Sequence, residues 1–238
     1  MFIYNDQNHV FESSVLKDLG VISGFGTKKT PPIEEILPAK HYISMLQIHS
    51  TSIELVNEPP QEKITRIDNI DGMISHLSSC ALLLKTADCV PVVYYDPHAG
   101  ILAVTHQGWR GTMANMANVA IEKLVSCGCQ VDTLRIALGP SLQDCCNRLY
   151  DQRYDDFKNR YSDLFKEFTR VEGDNTYISL SRLNMLQYLA AGIPIDHIDV
   201  NTHCTRCETD LFYSYDRKDY DVDDTRTRNW SFIMKQHG

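Results

Sequence analysis

Two histidines and one cysteine stand where strand-like segments end or turn. His49 follows the apolar run of MLQIHS, Cys89 lies in KTADCVP between two apolar segments, and His106 lies in THQGWRG. Two imidazoles and a thiolate form a good ligand set for zinc, and three protein ligands leave a fourth position for water or substrate. The three residues are far apart in the chain and form no local metal motif. They also fit two hydrogen-bonded core histidines and a small buried cysteine, and the pattern alone favours that structural interpretation.

The segment after His106 places Gly108, Trp109, Arg110 and Gly111 directly before a predicted helix. Glycines allow a ligand to approach the backbone, and a helix N-terminus offers free N–H groups to an anion. Trp109 can stack on a planar base, and Arg110 adds a positive charge. The alternative is a tight strand–helix turn with Trp109 in the core. The residues alone do not decide between the two.

Two further cysteines have a spacing that metal sites use. Cys204-Thr205-Arg206-Cys207, with His203 beside it, resembles half of a zinc knuckle. A closed structural zinc site needs four ligands, so a single C-x-x-C pair is a weak signal. We do not expect Cys145 and Cys146 to complete it.

Short apolar segments bounded by Asp, Pro and Gly predict the strands that must position these residues. They are CALLL (80–84), VPVVYY (90–95), GILAVT (100–105), LRIAL (134–138) and SFIM (231–234), with a hairpin turn over 96–100. Apolar residues at three- and four-residue steps predict helices over 113–125, 157–168 and 183–190. The segments 100–105, 113–125 and 134–138 form a plausible right-handed crossover unit. Because helices and strands mix without regular alternation, the sequence predicts a single α+β domain over residues 1–238.

Composition is that of an ordinary globular protein. The chain has 238 residues, is 43% hydrophobic and carries a formal net charge of −8. An acidic balance argues against non-specific binding to nucleic acid or to anionic membranes. No apolar run approaches the roughly 18 residues of a membrane span, and the first residues lack the pattern of a signal peptide. We therefore expect a cytoplasmic protein with a small-molecule partner, and we leave open whether it is a monomer or a homodimer.

Several segments of the chain resemble one known family. They are IDGMIS, LLLKTADCVPVVYYDP, GILAVTHQGWRG, a Gly139-Pro140 turn before Cys145-Cys146, and DLFYSYDR. The chain resembles the YfiH-like family of laccase-like, multicopper polyphenol oxidase proteins from about residue 24 to the RNWSFI end. TADCVP together with H-x-GWRG is the specific pair. The resemblance implies mixed sheets in a layered sandwich flanked by helices, and a zinc ion bound by His49, Cys89 and His106.

The same resemblance implies an activity and roles for further residues. The family is said to cleave adenosine, inosine and methylthioadenosine with phosphate, to deaminate adenosine, and in some members to correct peptidoglycan precursors. Carried onto this chain, Arg110 and Lys28 would neutralise phosphate, with Arg228 joining them. Trp109 would hold the purine. Asp88 would carry a proton or, more in keeping with its position beside Cys89, orient that ligand.

The chain also departs from the family pattern. T-R-x-G-G reads Thr27-Lys28-Lys29-Thr30-Pro31, so a lysine keeps the charge of the arginine but loses its bidentate fork. HAGWRG reads HQGWRG, G-P-x-I-G-P-C-C reads GPSLQDCC, and SYRR reads SYDR. We expect these changes to lie at the substrate rim and to leave the metal ligands intact.

Three other functions use the same residues. A multicopper cluster needs many histidines in His-x-His pairs, and the nine histidines here form none, although one copper ion in a His₂Cys site fits the ligand types. A cysteine hydrolase would use Cys89 as nucleophile and His106 or His49 as base. A zinc-stabilised binding module would bind nucleosides or cell-wall precursors without turnover.

Overall fold

The computed structural model describes residues 1–219 and 227–236. Within these ranges the helices are α1 (Ile33–Ile36), α2 (Trp109–Met113), α3 (Met116–Ser126), α4 (Asp151–Arg160), α5 (Phe165–Phe168) and α6 (Leu180–Ala190), with one 3₁₀ turn at Ile195–His197. The strands are β1 (Phe2–Asn5), β2 (Val10–Ser13), β3 (Val21–Gly26), β4 (His41–Leu46), β5 (Ile53–Val56), β6 (Ile64–Asp68), β7 (Gly72–Ser75), β8 (Cys80–Thr86), β9 (Val90–Asp96), β10 (Ile101–Gln107), β11 (Arg135–Leu138), β12 (Arg148–Leu149), β13 (Thr169–Glu172), β14 (Asn175–Ile178), β15 (Ile198–Val200) and β16 (Asn229–Lys235). No helix of the described residues is long and apolar enough to cross a membrane.

Two large mixed sheets carry most of these strands. The seven-stranded sheet has the order β1-β2-β3-β16-β8-β4-β6, and the six-stranded sheet has the order β15-β11-β9-β10-β7-β5. A small sheet follows the order β12-β14-β13. The pairs β4–β6, β4–β8, β5–β7 and β11–β15 are parallel, while pairs such as β9–β10 and β8–β16 are antiparallel. The predicted α+β class with mixed sheets is confirmed.

The two large sheets pack face to face, and helices cover their outer faces. Alternate residues of a strand point to opposite faces of its sheet, so a strand buried on both faces is apolar throughout. In β8, Leu82 and Leu84 point into the cluster between the sheets, whereas Leu83 points to the cluster that α1 covers. In β9, Val93 lies between the sheets and Tyr94 lies under α3 and α6. The predicted layered sandwich is therefore present.

The strands predicted from apolar runs are found within two residues of their predicted bounds. The hairpin over 96–100 is also present, because Gly100 N–H donates to the Asp96 carbonyl and the Asp96 side chain accepts from His98 N–H. Strands β10 and β11 both run antiparallel to β9, which lies between them. They are thus parallel to each other, and α3 lies in the crossover that joins them.

Two of the three predicted helices are interrupted. The helix expected over 113–125 is divided into α2 and α3 at Asn115, which has a φ of 60° and caps α3 by accepting from Asn118 N–H. The helix expected over 157–168 is divided into α4 and α5. Its aromatic residues do not line one helical face; Tyr161 instead packs in edge-to-face contact with Phe168. The third prediction is confirmed by α6.

The close approach of the two large sheets leads to a stability prediction at Gly139, which follows β11. A Cβ atom there would lie 2.1 Å from Cδ1 of the buried Phe25 ring in β3. We expect Gly139→Ala to lower the free energy of unfolding by about 1–3 kcal/mol, because forced overpacking shifts side chains and backbone. Denaturant unfolding followed by fluorescence measures this change.

Gly111→Ala is the matched control, since a Cβ there meets its nearest neighbour at an ordinary 3.4 Å. In the double variant with Phe25→Leu, the two changes should be non-additive, because the smaller side chain makes room for the added methyl group. A Gly139→Ala protein as stable as the unaltered one would contradict this account of the sheet contact.

Candidate metal centre

His49, Cys89 and His106 come together from both large sheets. His49 follows β4, Cys89 ends the connection from β8 to β9, and His106 lies in β10. One donor atom of each lies within 4.8 Å of the other two. The Cys89 Sγ–His49 Nε2 distance is 3.8 Å, and the two imidazole rings meet edge to face with centroids 4.8 Å apart. The three residues singled out in the sequence thus share one site.

Asp71, which the sequence analysis does not single out, holds this site together. The residue is 0% exposed, and its Oδ1 lies 2.8 Å from His106 Nδ1. An ionised carboxylate only accepts hydrogen bonds, so Nδ1 carries a proton, and Nε2 is the nitrogen that would face a metal ion once it has lost its own proton. The IDG motif before β7 contains this aspartate, but its histidine partner lies 35 residues later in the chain.

The same carboxylate fixes the backbone around His49. Ile48 N–H and Ser50 N–H donate to Asp71 Oδ2 at 3.3 and 2.6 Å, and His49 N–H donates to Oδ1 at 3.0 Å. The Ser50 hydroxyl adds a bond of 2.7 Å to Oδ2. His49 has a φ of 61°, in the left-handed region that residues other than glycine rarely adopt. The hydrogen bonds to Asp71 hold it there.

Gly108 leaves the space in which the donors meet. A Cβ atom at this position would lie 2.8 Å from His49 Cδ2 and 3.0 Å from Cys89 Sγ. Any side chain here would therefore displace two of the three donors. The glycine of H-x-GWRG is needed for this close approach.

Charge interactions at the site shift three pKa values in the metal-free protein. Burial would raise the pKa of Cys89, but the charge of His106 and hydrogen bonds from His106 and His49 outweigh it and lower the pKa to about 6. Burial would lower the pKa of His106, but the Cys89 thiolate and Asp71 raise it to about 9. Burial opposes the ionisation of Asp71, yet bonds from His106 and Ser50 lower its pKa to about 2. Near pH 7 the site is a thiolate–imidazolium–carboxylate group.

This donor set fits a metal ion. A thiolate and two imidazoles are borderline-soft ligands, and their donor atoms are close enough to share one ion. Three protein ligands leave room for a further ligand at the ion. Asp71 supplies the carboxylate partner that metal-bound histidines usually have on their other ring nitrogen.

Asp88, the neighbour of Cys89, is held by the loop that follows β15. Its Oδ1 accepts from the Thr205 hydroxyl at 2.6 Å, and its Oδ2 accepts from the Ser214 hydroxyl at 3.0 Å and from Asp216 N–H at 2.8 Å. Asp88 has a φ of 91°, so the backbone before the cysteine ligand is also strained. Both carboxylate oxygens of Asp88 accept hydrogen bonds. This arrangement favours a role in orienting Cys89 over a role in proton transfer.

Trp109 and Arg110 lie at the start of α2, a helix of five residues. The guanidinium of the exposed Arg110 lies 4.7 Å from the centroid of the Trp109 ring, and that of Arg153 lies 5.6 Å from it. Trp109 is partly buried and packs against the core beside the six-stranded sheet. Arg153, which sequence reasoning missed, thus brings a second positive charge to the aromatic ring.

Lys28 and Arg228 are both half-buried. Lys28 Nζ makes an ion pair of 2.8 Å with Asp219 and lies 4.9 Å from the centroid of the Tyr213 ring. Asp219 also accepts from Ser214 N–H, so Lys28 is linked to the loop that holds Asp88. Arg228 directly precedes β16.

Gln107 corrects one expectation from the sequence. We expected the HQGWRG departure at the substrate rim, but Gln107 is fully buried in the core. Its amide nitrogen lies within hydrogen-bond distance of the hydroxyls of Tyr94 at 2.9 Å, Thr105 at 2.9 Å and Tyr188 at 2.6 Å, and its two N–H bonds are shared among them. Since side chains alternate along β10, Gln107 must point away from the face that His106 occupies.

The geometry of Asp71 leads to a prediction for Asp71→Asn. An amide in this position cannot supply the negative charge that orients His106, so we expect metal affinity to fall by about 10–100-fold. Competition with a chromophoric chelator measures this change. Asp68→Asn is the control, because among the described residues the Asp68 carboxylate makes an exposed ion pair with Arg66. Equal metal affinity in the two variants would show that Asp71 does not support the site.

Comparison with known proteins gives relatives over most of the chain. Adenosine deaminase RL5, from an unknown prokaryotic organism, is 32% identical over 174 residues, covering 71% of this chain and 66% of that protein. Purine nucleoside phosphorylase YlmD of Geobacillus stearothermophilus is 29% identical over 192 residues, covering 76% of this chain and 68% of that protein. The matched part thus spans about two thirds of each relative's length.

The fold has been seen before. The crystal structure of the Bacillus licheniformis hypothetical protein YfiH superposes with a TM-score of 0.82 at 24% identity and covers 98% of both chains. A family model described as multi-copper polyphenol oxidoreductase laccase matches residues 33–236, which include His49, Cys89 and His106. This chain therefore belongs to the family described as multi-copper polyphenol oxidoreductase laccase.

Proposed function

We propose that this chain is a zinc enzyme that acts on purine nucleosides. Its reaction is the cleavage of adenosine, inosine or methylthioadenosine with phosphate, which releases the base and ribose 1-phosphate, and deamination of adenosine is a second activity. The observation that carries the proposal is the His49–Cys89–His106 group with Asp71 behind it. The names of two relatives, a purine nucleoside phosphorylase and an adenosine deaminase, supply the substrate class.

The residues of the candidate metal centre are arranged to bind one zinc ion. His49, Cys89 and His106 would hold zinc, which supplies a Lewis acid that polarises an oxygen and lowers the pKa of a bound water. Asp71 keeps His106 in the tautomer that offers Nε2. Gly108 keeps the space open, and Asp88 holds the backbone before Cys89 against the 205–216 loop. Metal analysis separates zinc from the single copper ion that the same ligand types fit.

Two positive side chains at the Trp109 ring, which follows Gly108 in the chain, support phosphate as the second substrate. Phosphorolysis passes through a cation-like sugar, so an anion held against it lowers the barrier. Arg110 and Arg153 flank Trp109 and would bind this anion, while the indole ring would pack against the purine. Lys28 and Arg228 are the further candidates to bind this anion, and Lys28 must leave its ion pair with Asp219 to do so.

One observation favours a second candidate function. Cys89, His106 and Asp71 form a nucleophile–base–carboxylate series in which the pKa of the thiol is lowered to about 6. Such a series can form covalent intermediates in hydrolysis without any metal. A cysteine hydrolase is thus the alternative to the zinc phosphorylase. The binding-module alternative predicts nucleoside binding without any product.

The first experiment is product chromatography after incubation of the purified protein with adenosine and phosphate. We expect adenine and ribose 1-phosphate, with no adenine when phosphate is left out. A chelator should abolish product formation, and added zinc should restore it. Inosine in place of adenine would make deamination the main reaction. No product from a folded, zinc-loaded protein would refute the proposal.

Matched variants locate this activity in the chain. Cys89→Ser should lose it, while Cys127→Ser should keep it, because Cys127 lies outside the site. Arg110→Gln should raise the phosphate concentration needed for half-maximal rate by about tenfold, as expected for loss of a hydrogen bond to a charged group. Arg160→Gln, an exposed charge on α4, is its control.

Alkylation of Cys89, measured against pH and with chelator or zinc present, distinguishes the zinc phosphorylase from the cysteine hydrolase. In metal-free protein the rate of Cys89 modification by iodoacetamide should rise with pH to a plateau, with its midpoint near pH 6, because the thiolate forms above the lowered pKa. Zinc should protect the thiol, and Cys89→Ser should lack this phase. Activity that persists in chelator but is lost on alkylation at Cys89 would identify the hydrolase instead.

A further inference from the structure

Four cysteines form a second group of donors. The sulfur atoms of Cys145, Cys146, Cys204 and Cys207 lie within 4.8 Å of one another. This arrangement differs from our expectation that Cys145 and Cys146 would not complete the C-x-x-C pair. We propose that these four cysteines bind one zinc ion tetrahedrally, at a structural site separate from the His49–Cys89–His106 centre.

The distances between the sulfur atoms suit one ion. Cys207 Sγ lies 3.6 Å from Cys145 Sγ and 3.3 Å from Cys146 Sγ. Four ligands at the usual Zn–S distance of about 2.3 Å around a tetrahedral ion lie roughly 3.8 Å apart. A disulfide would need sulfur atoms about 2.05 Å apart, and all four cysteines are free thiols. An iron–sulfur cluster spreads its cysteines over several metal atoms, so a group this tight favours one ion.

The backbone brings the two pairs together from distant parts of the chain. Ser141 and Cys204 form an isolated parallel bridge, in which Thr205 N–H donates to the Ser141 carbonyl at 3.1 Å. This bridge joins the loop after β11, which carries Cys145 and Cys146, to the loop after β15, which carries Cys204 and Cys207. The bridge would position the four thiols before any ion arrives.

Each loop is also fixed by contacts of its own. The guanidinium of Arg170, in β13, donates to the Asp144 carbonyl at 3.2 and 3.0 Å and so anchors the residue before Cys145. Glu208 accepts from Cys204 N–H at 3.2 Å and lies 2.6 Å from His203 Nδ1. His203 is therefore bonded to Glu208, and the ligand set is four sulfur atoms without the neighbouring histidine.

Charge and access are compatible with binding. Cys145 and Cys207 are exposed, so an ion can reach the group from solvent, while Cys204 is buried. On binding, four S–H bonds break, four S–Zn bonds form and four protons leave to solvent, with no change in oxidation state. The product carries two negative charges. Arg206, which also makes an ion pair of 2.6 Å with Asp216, supplies one positive charge near Cys146.

A zinc ion at the four cysteines would fix the loop over residues 201–219, which supports the His49–Cys89–His106 centre. Thr205, between Cys204 and Cys207, donates to Asp88, and Ser214 and Asp216 of the same loop do so as well. An ion bound to the four thiols would hold this loop against the loop after β11. The bound ion would affect the His49–Cys89–His106 centre only by holding Asp88, and through it Cys89, in place.

Metal content tests the proposal without reference to turnover. Wild-type protein purified in reductant with added zinc should contain two zinc ions per chain. Cys89→Ser and Cys207→Ser should each contain one, while Cys127→Ser should contain two. A Cys89→Ser protein that contains no zinc, or a folded Cys207→Ser protein that contains as much zinc as the wild type, would overturn the proposal.

A direct measurement of coordination does not depend on whether Cys207→Ser folds. In Cys89→Ser protein, zinc X-ray absorption should show four sulfur neighbours at about 2.3 Å. Cobalt in the same variant should give intense thiolate-to-metal charge-transfer bands. Nitrogen or oxygen neighbours in place of sulfur, or a mass two units lower from a disulfide between these cysteines in the reduced preparation, would overturn it.

Discussion

The buried carboxylate of Asp71 is the interaction on which the site depends. An ion without solvent is unstable in a protein interior unless donors surround it, and here three backbone N–H groups, one hydroxyl and one imidazole do so. The same bonds hold His49 in an unfavourable backbone conformation and set the tautomer of His106. One charge therefore orients two of the three residues of the candidate site. The third, Cys89, is positioned from the other side, by Asp88 and the loop to which Asp88 is bonded.

The sequence is most informative where a local pattern decides the structure. The β8 and β9 strands are apolar because each is buried on both faces, and this pattern can be recognised in the sequence. The interruptions at Asn115 and after α4 could not be foreseen, because the residues around them have helical periodicity. The contacts made there are long-range: the Thr112 carbonyl accepts from the Tyr161 hydroxyl and from the Gln187 amide. Which strands pair across the two sheets is likewise set by contacts between distant segments.

The residues of the candidate site also fall into those that the sequence identifies and those that only the fold reveals. His49, Cys89 and His106 could be proposed from residue type and from the motifs around them. Asp71 could not be assigned a role, because nothing near it in the chain identifies His106 as its partner. Arg153 meets Trp109 only through the fold, and Gln107 was assigned to the rim although its alternation along β10 turns it into the core. The four-cysteine group depends on a bridge between two loops that no local spacing encodes.

The origin of the three candidate donors in both sheets has a consequence for when a metal ion could bind. His49 follows a strand of the seven-stranded sheet, His106 belongs to the six-stranded sheet, and Cys89 lies on the connection between them. The three can converge only after the sheets have docked, and contacts between such distant segments form slowly. A nascent chain would therefore offer no complete site, and a metal ion could bind these donors only after the sheets have packed together. An ion bound there would stabilise the folded state, because it would bind the packed sheets and not the unfolded chain.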